Sequence, residues 1–99
     1  RALLENRLTT QIIKLATSLN ASRDFVAITG EEAEQAIVLE EAERIRFNAG
    51  DSDFFLVNLR EERSADAKIR NLQSLLRYHR SRAELQAITM DLTALRLVE

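Results

Sequence analysis

The chain has no proline, no cysteine and no tryptophan, and only two glycines in 99 residues. Without proline nothing forces a helix to stop, so any turn must be made by other chemistry. Without cysteine there are no disulfides and no thiolate metal ligands, and the redox compartment is left open. Aromatic residues are few, four Phe and one Tyr, and sheet-forming runs are missing. No apolar run approaches the roughly 20 residues that span a bilayer. Charge of a single sign is lacking too: 14 basic and 16 acidic residues, spread along the chain, give a net charge of −2. Neither a basic field for nucleic acid nor an acidic tail results. The start, Arg1-Ala2-Leu3-Leu4-Glu5, has no initiator Met and no signal-peptide profile, and the expectation is a piece excised from a larger protein.

What is present in quantity is Ala, Leu, Glu and Arg, the balance of long helices and coiled coils. Leu4, Leu8, Leu15, Leu19, Val26, Ala33 and Ile37 recur at helical spacing, with Ile12 and Ala16 widening the stripe. The second half carries two stripes. Ile69, Leu72, Leu76, Ala83, Ala87, Met90, Ala94 and Leu97 form one; Tyr78, Leu85, Ile88, Leu92 and Leu95 form the other. The expected fold is all-α, a long antiparallel two-helix coiled-coil hairpin with arm 1 at about 2–48, a turn at about 49–53 and arm 2 at about 54–98. A two-helix hairpin covers only one stripe of its second arm, so the other calls for a further helix in a larger bundle. The isolated fragment is therefore expected to self-associate.

The turn, Asn48-Ala49-Gly50-Asp51-Ser52-Asp53, has its own chemistry. Gly50 suits the left-handed position after a helix, and Asp51, Ser52 and Asp53 supply oxygens to cap the next one. Phe47, Phe54 and Phe55 gather at the same end. Antiparallel arms hinged at Gly50 place Glu31, Glu32 and Glu34 near Lys68 and Arg70, and Glu40 and Glu41 near Arg60 and Arg63. The alternative to a continuous first arm is a break near Gly30, where Thr29-Gly30-Glu31-Glu32 reads as a capping box. The continuous arm is favoured, because a helical glycine costs only about 1 kcal/mol and the apolar stripe runs on past it.

Catalytic constellations are not found. His79 sits in Arg77-Tyr78-His79-Arg80-Ser81-Arg82 with no carboxylate or second imidazole one helical turn away, which argues against a metal. Adjacent pairs such as Glu31-Glu32, Glu40-Glu41 and Glu61-Glu62 diverge by about 100° on a helix and read as solvated faces. Arg77, Arg80 and Arg82 make a short basic patch without an aromatic platform. No phosphate loop or nucleophile triad occurs. The expectation is a protein that is not an enzyme, uses no cofactor and binds no nucleic acid.

Glu43-Arg44-Ile45-Arg46-Phe47-Asn48-Ala49-Gly50-Asp51-Ser52-Asp53-Phe54-Phe55-Leu56-Val57-Asn58-Leu59-Arg60-Glu61 resembles the periplasmic helical hairpin of the TolC family of outer-membrane efflux proteins. In that family one long helix ends in a charged residue, an aromatic, two variable residues and a glycine. A short polar turn and an apolar stretch closing in a leucine-centred motif then open the returning helix. Ala65, Ala67, Tyr78, Ala83 and Leu85 also fall where family members carry small, aromatic and leucine residues. Two departures are present: the stretch from Gly50 to Leu59 is one residue longer than the commonest spacing, and Asn58-Leu59-Arg60-Glu61 replaces valine-leucine-acid-alanine.

The resemblance implies a homotrimeric parent in which each protomer gives two hairpins to a twelve-helix periplasmic tube. It implies an outer-membrane location for the parent, a periplasmic adaptor (membrane fusion) protein docking at the tip, and an inner membrane pump beyond it. Phe47, Gly50, Asp51, Ser52 and Asp53 would form that partner-binding tip. The alternative is a coiled-coil interaction or scaffold module with no transport role. A helical arm on an RNA-binding enzyme would need basic arms, which the mixed charge does not supply.

Overall fold

The computed structural model describes residues 2–98, with side chains for 2–95. Two helices, α1 (Ala2–Asn48) and α2 (Phe54–Val98), form an all-α hairpin, and no strand occurs among the described residues. α1 runs through Gly30 without a break. The reason lies at Thr29, whose hydroxyl does not cap. It turns back to the carbonyls of Phe25 (3.0 Å) and Val26 (3.2 Å) and reaches α2, 2.7 Å from Ser74 Oγ and 3.2 Å from Asn71 Oδ1. A threonine committed to the preceding turn and to the facing helix is not free to open a new helix at its own position.

The hairpin divides into two compact units, a turn unit of Phe25–Leu75 and a terminal unit of Arg1–Asp24 with Leu76–Glu99. In the terminal unit Leu8, Ile12, Leu15, Ala16 and Leu19 of α1 are half-buried, as are Tyr78, Ser81, Leu85, Ile88 and Leu92 of α2. These positions follow the alternating steps of three and four that keep one seam of a helix against a partner. Of the two stripes in the second arm, the inward one is therefore Tyr78, Leu85, Ile88 and Leu92. Leu76, Ala83, Ala87, Met90 and Ala94 point to solvent, and so does Leu95, which spacing alone groups with the inward set. Leu4, at an inward step of the first arm by spacing, is exposed as well. The side chain of Leu97 lies outside the described set.

The turn unit follows the same steps with different residues. Thr29, Ala33 and Glu43 are buried on α1, and Val57, Ser64, Ala67 and Ser74 on α2. Small side chains let two helices approach closely, which is how a seam of Ala, Ser and Thr becomes the most buried region of the molecule. Ser64 is 1% exposed, and its Oγ has no hydrogen-bond partner. Val57 is buried and Val26, Ile37, Leu56, Leu59 and Leu75 are half-buried, but many large apolar residues are turned away: Phe25, Ile28, Val38, Leu39 and Ile45 on α1, Phe54, Phe55, Ile69 and Leu72 on α2. Ile69 lies midway between the inward Ala67 and Asn71, two residues or about 200° from each, and Val38 lies likewise between Ala36 and Glu40. Val38 on α1 and Ile69 on α2 thus lie on the side opposite the seam, where Glu31 and Glu62 share their faces.

The ion pairs across the seam differ from those expected. Arg44 Nη2 is 2.9 Å from Glu61 Oε1 and 3.4 Å from Glu40 of its own helix, while Arg60 Nε is 3.7 Å from Glu43 Oε1. Among the described residues no ion pair joins Glu40 or Glu41 to Arg60 or Arg63, or Glu31, Glu32 or Glu34 to Lys68 or Arg70. α1 ends at Asn48 and α2 begins at Phe54, so the hairpin is centred on Asp51 rather than Gly50, and every facing pair moves accordingly.

Candidate functional site: the turn

The turn begins with a complete helix stop. Gly50 has φ 84°, and its N–H donates to the Phe47 carbonyl at 3.0 Å. The Asp51 N–H donates to the Arg46 carbonyl at 2.8 Å. These two bonds make a Schellman motif, in which the first residue past the helix must be left-handed, the conformation glycine adopts without a Cβ penalty. Nothing lies within 4 Å of where a Cβ on Gly50 would be. The requirement is therefore for backbone conformation and not for space inside the hairpin.

Three residues are candidates to cap α2, and one does so. Asp53 Oδ1 accepts the Leu56 N–H at 2.8 Å, and the Asp53 carbonyl receives the Val57 N–H at 3.3 Å. Asp53 is the N-cap, with its carboxylate at the positive end of the helix. Asp51 instead offers its carbonyl to Arg46 Nη2 at 3.1 Å, which leaves its carboxylate exposed. Ser52 turns inward and donates to Glu43 Oε2 at 2.7 Å.

Glu43 is the residue that sequence reasoning missed. It is 5% exposed, accepts the Ser52 hydroxyl, and has Arg46 Nη1 at 3.6 Å and Arg60 Nε at 3.7 Å. The signal was present: Glu43 falls on the inward steps of α1, and Arg46 follows it by three residues. Its burial was hidden by the run of charges around it.

Phe47 and Phe54 meet edge to face across the turn, ring centroids 6.0 Å apart at 64°. Phe55 is 72% exposed and Phe54 65%. The end of the hairpin therefore presents two carboxylates, Asp51 and Asp53, beside two uncovered phenyl rings. Such a surface can dock a partner through apolar contact and hydrogen bonding. The structure thus brings Phe47, Gly50, Asp51, Ser52 and Asp53 together at one end, with Ser52 bonded to Glu43, Asp53 capping α2, Phe47 against Phe54, and the Asp51 side chain and the Gly50 backbone exposed.

Comparison with protein-family models, curated proteins and solved structures gives no match.

Elsewhere in the turn unit an open groove of about 450 Å³ runs beside the seam, with Ala36 and Ala67 among its lining residues and Arg60, Arg63 and Arg70 along one flank. His79 is exposed on α2, edge to face with Tyr78 at 5.5 Å. Among the described residues no group of three or more potential ligands could hold a metal, and no helix is long and apolar enough to cross a membrane.

Proposed function

We propose that this chain is a periplasmic helical segment of a trimeric, TolC-like outer-membrane export duct, and that its turn is the tip that docks a periplasmic adaptor protein working with an inner membrane pump. The role is structural and non-catalytic. One observation carries it: in the turn unit the buried residues between the two helices are small or polar apart from Val57, while Val38, Ile45, Phe55, Ile69 and Leu72 face outward. A free-standing hairpin gains most by putting its largest apolar side chains in its own seam. A helix that packs one side on its partner and turns large apolar side chains outward on another is suited to lie between two neighbours, and a row of such helices closes most simply into a ring. The glycine-centred turn, with its aromatic three residues before and its acidic residues after, supports the assignment of the tip.

The second reading, a coiled-coil scaffold module, is favoured by the terminal unit, where Leu, Ile and Tyr fill the seam as in an ordinary two-stranded coiled coil. Site-specific cross-linking in the intact parent protein in its cell envelope separates the two. Val38→Cys paired with Ile69→Cys is expected to give disulfide-linked protomers up to the trimer, and a photo-crosslinker at Phe55 is expected to capture the adaptor. Dimers alone, with no adaptor adduct, would select the scaffold. For the isolated chain, sedimentation is expected to show concentration-dependent association in the micromolar range; a persistent folded monomer would refute the claim that the outward apolar side chains need covering.

A further inference from the structure

Glu43 has a consequence for how the turn is held. Burying a carboxylate is unfavourable unless its charge and lone pairs are met, so a Glu at 5% exposure among small residues calls for partners. Its partners come from three places in the turn unit. Ser52 Oγ, in the turn, donates to Oε2 at 2.7 Å; Arg46, in the last turns of α1, approaches the same oxygen at 3.6 Å; Arg60, in α2, approaches Oε1 at 3.7 Å. Arg46 extends the set by donating from its other terminal nitrogen to the Asp51 carbonyl at 3.1 Å. The carboxylate therefore holds the turn twice, directly at Ser52 and through Arg46 at Asp51, and ties both holds to α2 through Arg60.

The neighbouring seam cannot do this. It holds the arms to each other through the Thr29–Ser74 hydrogen bond, but none of its buried side chains bonds to a turn residue, whereas the buried carboxylate of Glu43 must keep its partners there. We infer that Glu43 is a positioning residue that clamps the turn, presenting Asp51, Asp53, Phe54 and Phe55 as one fixed set. Its use in docking rests on the proposed tip function; the clamp itself does not.

The test is amide hydrogen exchange on the whole chain, without any partner, for Glu43→Gln, Ser52→Ala and the double variant, with helix content followed by circular dichroism. Glu43→Gln keeps shape and an acceptor for Ser52 but removes the charge that draws both arginines; Ser52→Ala removes only the direct hold. The expected result is exchange at Gly50, Asp51 and Leu56, whose N–H groups are hydrogen-bonded in the turn, faster by about tenfold, with amides of 28–40 and 62–74 unchanged. Because both variants act on one network, the double variant is expected to add little to the larger single effect. Unchanged exchange at the turn, acceleration spread evenly over both helices, or strictly additive effects would each overturn the clamp. Since no partner takes part, failure here would leave the docking proposal standing, and loss of adaptor cross-links with an intact clamp would do the reverse.

Discussion

The terminal unit and the turn unit are built on the same helical steps with opposite materials. In the first, Leu8, Ile12, Leu15 and Leu19 meet the side of α2 that carries Leu85, Ile88 and Leu92, and no described residue there is fully buried. In the second, Thr29, Ala33, Ser64, Ala67 and Ser74 are almost completely enclosed. Large side chains hold helix axes apart and leave their own flanks in water; small ones let backbones approach until the seam is closed. The difference teaches that in a two-helix hairpin a seam of small side chains is more completely enclosed than one of large apolar side chains. It also frees the large apolar residues of the turn unit for other neighbours.

The sharpest way to break this comparison is to enlarge one buried alanine. Ala67→Leu is expected to cost about 1–3 kcal/mol by forcing the seam apart, whereas Ala16→Leu in the terminal unit is expected to change stability by less than about 1 kcal/mol. Urea denaturation of both variants checks it, and equal tolerance would mean that the seam is looser than 4% exposure of Ala67 indicates. Next in size is Thr29→Val, expected to lose about 1 kcal/mol because Ser74 and Asn71 lose their cross-seam partner. A double-mutant cycle with Ser74→Ala, read by the same denaturation, is expected to show coupling.

Gly30→Ala runs in the opposite direction. A Cβ there would meet Asn71 Oδ1 at 3.7 Å, an ordinary contact, so the variant is expected to gain about 0.5–1 kcal/mol from helix propensity, seen as a higher thermal midpoint. A loss would show that the seam needs the glycine. The smallest effect is expected for Arg44→Ala. Arg44 and Glu61 are half-exposed, though Glu40 is mostly covered, and the worth of the two pairs, below about 1 kcal/mol, should fade in 1 M salt.

The two arms, the turn and the surplus apolar stripe are legible in the sequence because periodicity and glycine act locally. Three things are not. The α2 side of the turn unit's seam is invisible to a search for apolar periodicity, since Ser64, Asn71 and Ser74 occupy the steps where leucine would be sought, whereas Val26, Ala33 and Ile37 mark the α1 side. The assignment of oxygens at the turn depends on which way each side chain faces: Asp53 caps, while Ser52 is drawn inward by Glu43. The ion-pair partners shift with the centre of the turn, and a displacement of one residue at Asp51 reassigns every charge along the arms. Thr29 illustrates the general difficulty, because its local sequence is that of a cap and only the facing helix makes it a bridge.

Gly50 combines a positive φ with empty space where a side chain would stand. What the hairpin forbids at that position is thus a matter of handedness, not of volume. A D-alanine in place of Gly50, introduced by chemical synthesis, would match the local backbone and leave the helix stop intact or firmer. Any partner that comes up against the bare backbone at the tip would meet its methyl group. The mirror-image residue would therefore separate roles that every natural substitution confounds, ending a helix and leaving a gap for a visitor.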